Sequence, residues 1–441
     1  MIYRYWIGKT PFKSSQLNTV VGNLPIEMNS REKSVLSLTM MTHGTLHVYE
    51  LSIPLFITIW RHQFNASLAT LGAVAAIGYG LFGVGAPPGG LLADKIGSKK
   101  LIVGCLAGMS LSFVALSFAT NIWHIALALS LWGISASVYH PSGLSAITKE
   151  INNRGKALAL HGIAGNIGIG LGPMFTTVLL LFTNWENVAL TLAAPGLLFA
   201  AYGLKTEVDD PTNNDTRKDK DTKKRDTDTR DDTPQSFKEF LGTAKILFTS
   251  SFILVFAVAI MSGLYYRGIT TFLPDLLAGT PSISDFTLRG FEIKPSRYIY
   301  SGLLTIGLLG QYTGGWITNR VDTELGILAT YGSLGLISLV FIPVTKASAA
   351  ILIVASGVLG FTIFVGQPLY QSWVAEYSPE KARGLSYGFT YFGTFGVGAL
   401  GAAVTGIILT YANQTVLFAV LASIAFTASA TGLYVYTKKD S

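Results

Sequence analysis

Three residues near the start of the chain combine acid–base side chains with helical spacing. His43, His47 and Glu50 lie four and three positions apart within an apolar stretch, and these spacings put side chains on one helix face. In a low-dielectric setting, two imidazoles and a carboxylate can titrate near neutral pH. The pattern predicts a proton relay or a polar substrate pocket, with structural hydrogen bonding as the alternative. The spacing also resembles that of metal ligands. Metal binding is therefore a third alternative, but no metal site is predicted.

A buried cation is predicted at Arg267, which lies well inside a later apolar stretch. An arginine stays charged in such a place, and a charge inside a membrane needs a partner. We expect the partner to be Glu50 across a central cavity, or an anionic group of a substrate. Protonation of Glu50, or binding of an anion, would then release the pair. A permanent ion pair, or an arginine side chain that extends to the membrane surface, is the alternative.

Other polar side chains within apolar stretches complete the candidate substrate and proton pathway. They are Tyr139, His140, His161, Asn166, Gln311, Gln367 and Tyr370. For Gln311, Gln367 and Tyr370 the alternative is hydrogen bonding that links helices. His161 and Asn166 belong to a glycine-rich segment whose glycines recur three and four positions apart. Such a seam permits close crossing of membrane helices, so packing is the alternative for this segment.

Membrane helices must position these residues. Of the 441 residues, 50% are hydrophobic and only 13% are charged, whereas soluble domains are about a quarter charged. Apolar runs recur that are about 20 residues long, enough to cross a bilayer. The predicted spans are residues 34–60, 67–93, 99–119, 122–149, 154–183, 186–204, 247–275, 297–319, 324–344, 347–377, 382–411 and 414–437.

The charges predict the orientation and the domain boundaries. The net charge of +7 comes from cations concentrated in alternate short loops, a pattern typical of cytoplasmic loops rather than of nucleic-acid binding. Both termini are therefore expected in the cytoplasm. The predicted units are a leader (1–32), a six-helix bundle (33–204), a charged linker (205–245), a second six-helix bundle (246–437) and a tail (438–441). The linker is too polar to bury a core.

A loop motif suggests a gate at the cytoplasmic side. Gly90, Asp94, Lys95, Gly97, Lys99 and Lys100 lie between two apolar runs, and Gly315, Asn319 and Arg320 form a weaker copy. This spacing resembles the loop between helices 2 and 3 of the major facilitator superfamily. Asp94 needs a partner at the lipid–water boundary, and a contact there can break and re-form; a cluster that only sets topology is the alternative. Glu150 with Arg154, and Glu376 with Arg383, resemble the cytoplasmic latches of such transporters.

The two halves of the chain share landmarks. Gly165, Gly168 and Gly170 recur as Gly393, Gly396 and Gly398 in the second half, which indicates repeats related by an axis along the membrane normal. The resemblance therefore implies an all-α membrane protein of twelve helices in two pseudo-symmetric six-helix bundles.

A narrower resemblance concerns the branch within the superfamily. Tyr139-His140-Pro141-Ser142-Gly143, followed by Arg154-Gly155 and a glycine-rich helix, resembles the fosmidomycin-resistance-like branch. Two departures weaken a drug-exporter assignment. Leu129 occupies the position where proton-driven exporters carry an arginine, and Pro173 is not followed by a second glycine pair.

The resemblance implies a secondary transporter of the cell membrane that works by alternating access. The expected function is proton-coupled transport of a small polar or anionic organic solute or drug, with export favoured. The expected partners are the lipid bilayer, a small-molecule substrate and protons, without nucleic acid or cofactor, in a monomer that is not an enzyme. The alternatives are an uptake permease of the same fold, a transporter-like ligand sensor and a membrane metalloenzyme. No Walker-type motif occurs in the sequence, so ATP is not expected as the direct energy source.

Overall fold

Two bundles of helices make up the fold. The computed structural model describes residues 28–206, 237–379 and 382–439, so most of the predicted leader (residues 1–27) and most of the charged linker (residues 207–236) lie outside these ranges. In the first half the helices are α1 (Ser30–Gln63), α2 (Leu68–Val84), α3 (Ala86–Ile96), α4 (Ser98–Ser117), α5 (Ile122–Ala136), α6 (Tyr139–Glu150), α7 (Arg154–Leu179) and α8 (Trp185–Lys205). In the second half they are α9 (Phe237–Phe248), α10 (Phe252–Ala278), α11 (Pro295–Ile317), α12 (Thr323–Val344), α13 (Ala349–Tyr377), α14 (Arg383–Tyr391), α15 (Leu400–Tyr411) and α16 (Gln414–Lys439).

The helices are those of a multi-pass membrane protein. Among the described residues, 10 helical segments are long and apolar enough to cross a bilayer. The more polar α1 and α11 also run the length of the bundle, which is consistent with twelve crossings. Large apolar side chains such as Phe118, Leu127 and Leu198 remain exposed on the outside, where lipid would cover them.

The internal repeat is visible in the packing of the helices. In the first half α1 packs on α7, α2 on α5 and α4 on α8. The corresponding pairs of the second half are α10 with α15, α11 with α13 and α12 with α16. The halves meet where α2 crosses α15 and where α7 crosses α11. Each half has its own buried apolar cluster.

Two predicted helices of the first half are broken. The predicted span 67–93 divides into α2 and α3 at Gly85, just before Pro87 and Pro88, and the span 122–149 divides into α5 and α6 shortly before Pro141. Proline lacks the backbone N–H and clashes with the preceding turn, so both breaks have a local cause. The breaks also contact each other, because a Cβ atom at Gly85 would lie 2.1 Å from Ser137 Oγ.

The predicted span 382–411 is also irregular. A π turn (Phe392–Gly396) and a short 3₁₀ turn (Val397–Ala399) separate α14 from α15. Such turns are common at functional sites. Here they pack closely against two glycines. A Cβ atom added at Gly83 would lie 2.0 Å from the Gly396 nitrogen, and one added at Gly263 would lie 2.1 Å from the Thr394 carbonyl oxygen.

A small hairpin adds an element that the sequence analysis does not predict. Strands β1 (Phe286–Leu288) and β2 (Phe291–Ile293) pair antiparallel between α10 and α11. Arg289 and Gly290 form the turn with φ of 51° and 88°, the left-handed values that two-residue hairpins require. We call the bundle end that carries the hairpin the hairpin end, and the end where α1 begins the basic end.

Candidate functional site

An ion pair between the two halves lies at the centre of the bundle. Arg267 on α10 donates from Nη2 to Glu50 Oε1 on α1, and the side chains are only 1% and 2% exposed. The Arg267 guanidinium also lies over the ring of Tyr79, 3.8 Å from the ring centroid, a cation–π contact. The pairing of Glu50 with Arg267 that the sequence predicts is therefore present in the structure.

The carboxylate of Glu50 continues into a chain of hydrogen bonds along α1. Glu50 Oε2 lies 2.6 Å from His47 Nδ1, and His47 Nε2 lies 3.2 Å from His43 Nε2. His43 Nδ1 lies 2.9 Å from the carbonyl oxygen of His161. We call Glu50, His47 and His43 the polar chain. At 1.5 Å rise per residue it extends roughly 10 Å along α1 toward the basic end.

Three further predicted residues surround the polar chain. The His161 ring stacks on His43 with centroids 4.1 Å apart, and the His140 ring lies edge-on to His43 at 5.2 Å. Tyr139 donates its hydroxyl hydrogen to the Thr39 carbonyl oxygen at 2.5 Å. The glycine-rich α7 makes room for this cluster, because a Cβ atom at Gly165 would lie 2.3 Å from the His43 ring.

His140 also connects the cluster to the second half. Its ring stacks on Tyr391 of α14, with centroids 5.3 Å apart and an interplanar angle of 4°. Phe82 and Phe395, whose ring centroids lie 5.0 Å apart, pack beside this stack at 5.9 and 6.2 Å from the His140 ring centroid. This aromatic layer closes the space between the halves on the basic-end side of the polar chain.

A small cavity lies beside the ion pair. Its volume is about 40 Å³, enough for one or two water molecules and far below the size of an organic ligand site. Its lining includes His47, Glu50, Ser262, Tyr266, Gln367, Tyr370, Thr394 and Phe395. Binding of a substrate therefore requires the halves or the side chains to move apart.

The remaining pathway candidates lie outside this cavity. Asn166 is half-buried on α7, and neither it nor Gln311 is among the lining residues. Gln311 Oε1 is buried without a hydrogen-bond partner in the described part of the chain. Conversely, Tyr79, Ser262 and Thr394 lie at the site but are not predicted from the sequence. Tyr79 stands alone in an apolar run, which is the signal that could have identified it.

The halves are also tied together at the hairpin end. Arg61 Nη1 donates to both carboxylate oxygens of Asp275, at 2.9 and 2.8 Å, and Tyr300 donates to the Leu51 carbonyl oxygen at 3.3 Å. Because contacts join the halves on both sides of the cavity, the structure is closed around the site.

The Arg61–Asp275 pair provides a first prediction. We expect Arg61→Gln to leave stability nearly unchanged, within about 1 kcal/mol, because the arginine is 41% exposed. The hairpin end should nevertheless open more often. A cysteine introduced at Thr58, which lines the outer space at this end, should react faster with a water-soluble thiol reagent; an unchanged rate would argue against a latch. The single native cysteine, Cys105, is buried.

The predicted basic-end gate is described only in part. The side chains of Gly90, Asp94 and Arg383 lie outside the described residues, so their contacts stay predictions. Gly97, with φ of 94°, ends α3, and Lys99 donates to the Leu204 carbonyl oxygen at 3.0 Å. Lys95 is exposed.

The Glu150 contact differs from the expectation, whereas the predicted pairing of Glu376 with Arg383 stays a prediction. Glu150 pairs with Arg31 at 2.5 Å rather than with Arg154, because α6 ends beside the first turn of α1. Glu376 pairs with Lys439 at 2.9 Å and accepts from Thr323. Asn319 donates to the carbonyl oxygen of Gly315 at 3.1 Å, and Arg320 lies over Trp316. These two side chains therefore contact their own helix end in this closed form.

A metal ion suits the histidine cluster less well than a proton does. Ligand atoms of His43, His47 and His140 all lie within 4.8 Å of one another, so a shared ion is sterically conceivable. However, Glu50, the nearest carboxylate, already pairs with Arg267. The fixed charge of that arginine would repel a divalent cation.

Comparisons with known proteins agree with this architecture. The family model of the Major Facilitator Superfamily matches residues 38–402. The gentisate transporter of Corynebacterium glutamicum is 23% identical over 354 residues, 78% of this chain and 72% of that protein. The gallate transporter of Pseudomonas putida is 29% identical over 138 residues, 31% of this chain and 30% of that protein.

A solved structure shows the same fold. A mutant of the nucleoside transporter NupG superimposes with a TM-score of 0.71 at 13% identity, over 91% of this chain and 99% of that one. The narrower resemblance to the fosmidomycin-resistance-like branch stays a prediction. The family match spans most of the chain, and the two packed six-helix halves are the fold that it implies, so this protein belongs to the Major Facilitator Superfamily.

Proposed function

We propose that the protein is a secondary active transporter that moves a small organic anion together with a proton by alternating access. The observation that carries this proposal is the buried Glu50–Arg267 pair between the two halves. The guanidinium of Arg267 stays charged. Its partner Glu50 lines the small central cavity, so Arg267 lies next to that cavity. A carboxylate of a substrate can therefore take the place of Glu50 on Arg267.

Proton coupling follows from the charge of the pair. If an anion enters while Glu50 is ionised, two negative groups compete for one guanidinium in a low-dielectric site, which is unfavourable. Protonation of Glu50 removes this repulsion, so that an arriving substrate carboxylate can replace Glu50 on Arg267. The proton and the anion then bind to the same form of the protein and move in the same direction.

The substrate class that we propose is an aromatic carboxylic acid. Tyr266, Tyr370 and Phe395 border the cavity, and Tyr79 lies beneath Arg267. Aromatic rings of this kind pack against another ring while arginine holds a carboxylate. The two relatives named above are transporters of gentisate and gallate, both hydroxybenzoates, and this supports the same class here.

Shared movement of proton and anion favours uptake under an inward proton gradient. This is the alternative to the export that the branch resemblance predicts. We further propose that the monomer lies in the cell membrane with its basic end toward the cytoplasm, because cations mark cytoplasmic loops.

Transport by purified protein in liposomes tests the proposal. With an acidic exterior and a pH dye inside, we expect radiolabelled hydroxybenzoates to accumulate and the lumen to acidify, whereas their uncharged methyl esters should not compete. Glu50→Gln should abolish the dependence on the pH gradient. Lys346→Gln, which removes an exposed cation at the hairpin end, is the matched control and should transport normally.

Two results would contradict the proposal. Flux that does not depend on pH in the native protein would refute proton coupling. Saturable binding of a hydroxybenzoate without any flux would instead support the transporter-like sensor.

A further inference from the structure

The hydrogen bonds of the polar chain fix the number of protons that it holds. Three contacts link the Glu50 carboxylate, His47, His43 and the carbonyl oxygen of His161, at 2.6, 3.2 and 2.9 Å. Each contact joins two nitrogen or oxygen atoms at hydrogen-bond distance, so each needs one hydrogen between its atoms. A carbonyl oxygen can only accept, hence the hydrogen at His43 Nδ1 belongs to the histidine.

Two neutral histidines and an ionised glutamate cannot supply three hydrogens. A neutral imidazole carries one N–H hydrogen, and a carboxylate carries none. If both hydrogens sat on the Nδ1 atoms, two lone pairs would face each other between His47 Nε2 and His43 Nε2. The chain therefore contains one additional proton, whichever tautomers are assigned.

The surroundings restrict where this proton can reside. The ionisable groups that face the polar chain from the other helices are Arg267, Tyr79, Tyr139, His140, His161, Tyr266, Tyr300 and Tyr370. Within the described residues, His140 Nε2 and His161 Nδ1 are buried without hydrogen-bond partners. A hydrogen on either atom would lack an acceptor, which is costly. The additional proton thus belongs to Glu50, His47 and His43.

We propose that Glu50, His47 and His43 form a single binding site for one proton, and that this structure is its proton-loaded, substrate-free form. The identification of this proton with the transported one rests on the proposed function, whereas its presence rests on the hydrogen-bond geometry alone. One guanidinium, one carboxylate and one additional proton leave a single positive charge at the cavity. That charge matches one monoanionic carboxylate, so the expected ratio is one proton per monoanion.

The polar chain also gives the proton a direction of travel. Glu50 borders the cavity, whereas His43 lies toward the basic end and contacts His140 of the aromatic layer. The hydrogens can shift along the chain without movement of the backbone. Loss of the additional proton leaves one of the three contacts without a hydrogen, which weakens the packing of His43 next to the His140–Tyr391 stack.

The proton count can be measured without any transport assay. Solid-state NMR of protein labelled with ¹⁵N-histidine and ¹³C-glutamate distinguishes bare ring nitrogens from N–H groups and a protonated carboxyl from a carboxylate. At neutral pH we expect either a single bare nitrogen for His43 and His47 together, or two bare nitrogens with a protonated Glu50; comparison with His43→Asn and Glu50→Gln assigns the signals. Two bare nitrogens together with an ionised Glu50 carboxylate would overturn the proposal. So would stoichiometric zinc or copper in the purified protein that is lost in His43→Asn, because a metal ion would then occupy the contact.

Transport by His43→Asn tests the coupling role. Asparagine can keep the hydrogen bond to the His161 carbonyl oxygen but has no second nitrogen for His47. We expect exchange of labelled for unlabelled substrate to continue, while accumulation driven by a pH gradient is lost. His124→Asn makes the same change at an exposed histidine beside Asn121 and should behave like the native protein.

The two measurements separate the possible failures. If no anion is transported but the NMR spectra show three hydrogens on Glu50, His47 and His43 together, the proposed function fails and the proton site remains. If His43→Asn accumulates substrate as well as the native protein does, the proton site has no coupling role.

Discussion

Arg267→Leu is expected to abolish anion transport and to lower the free energy of unfolding by about 3–5 kcal/mol. The substitution leaves the Glu50 carboxylate, 2% exposed, in the centre of the bundle with only the shared proton of the polar chain to balance its charge. Removal of one partner of a buried ion pair is far more costly than the loss of the pair as a whole. Equilibrium unfolding in mixed detergent micelles would measure the loss, alongside uptake by the same variant in liposomes.

The double variant separates stability from function. Glu50→Gln combined with Arg267→Leu removes both charges, so we expect most of the stability to return while transport stays absent. Arg61→Leu is the control, because it removes an arginine from an ion pair that is partly exposed and should cost no more than about 1 kcal/mol. A double variant as unstable as Arg267→Leu would show that packing against Tyr79, rather than charge, dominates at this position.

Gly83→Val is expected to hold the two halves apart at the basic end. A Cβ atom at Gly83 would already lie 2.0 Å from the backbone nitrogen of Gly396, and backbone cannot move aside as a flexible side chain can. Overpacking of this kind costs about 1–3 kcal/mol, and separation of α2 from α14 and α15 relieves it. Transport should stop because the closed form is no longer reached.

Spin labels report this change directly. Labels attached to cysteines at Lys95 and Arg320, which are exposed at the basic end of the two halves, should lie farther apart in Gly83→Val than in the native protein. Gly104→Val provides the control, because a Cβ atom at Gly104 has no heavy atom within 4 Å. An unchanged label distance together with normal transport would show that the crossing adapts without opening.

The central ion pair could be predicted from sequence because the alternatives were few. Glu50 and Arg267 lie in apolar stretches at corresponding places of a repeated chain, so each needed a partner that the other could supply. The glycines that recur as Gly165 and Gly393 likewise predicted close helix crossings.

The contacts of the gate could not be predicted in the same way. Glu150 lies near several cations at the basic end, and only the three-dimensional position of α1 selects Arg31 over Arg154. The closed cavity and the irregular turn before α15 depend on how α2 meets Gly396, which no local pattern contains. The isolation of Tyr79 in an apolar run marks it as a candidate, but its role appears only when a cation from the other half lies above its ring.

The Glu50–Arg267 contact lies part-way along α1, where it can serve as the pivot of a tilting motion. Glu50 lies 20 residues after Ser30 and 13 before Gln63, hence roughly 30 and 20 Å from the two ends of this helix. A tilt of about 10° around the contact moves those ends by roughly 5 and 3.5 Å, while the pivot itself hardly shifts. In the substrate-free protein, Arg267 can therefore keep its contacts with Glu50 and with the ring of Tyr79 while either mouth widens.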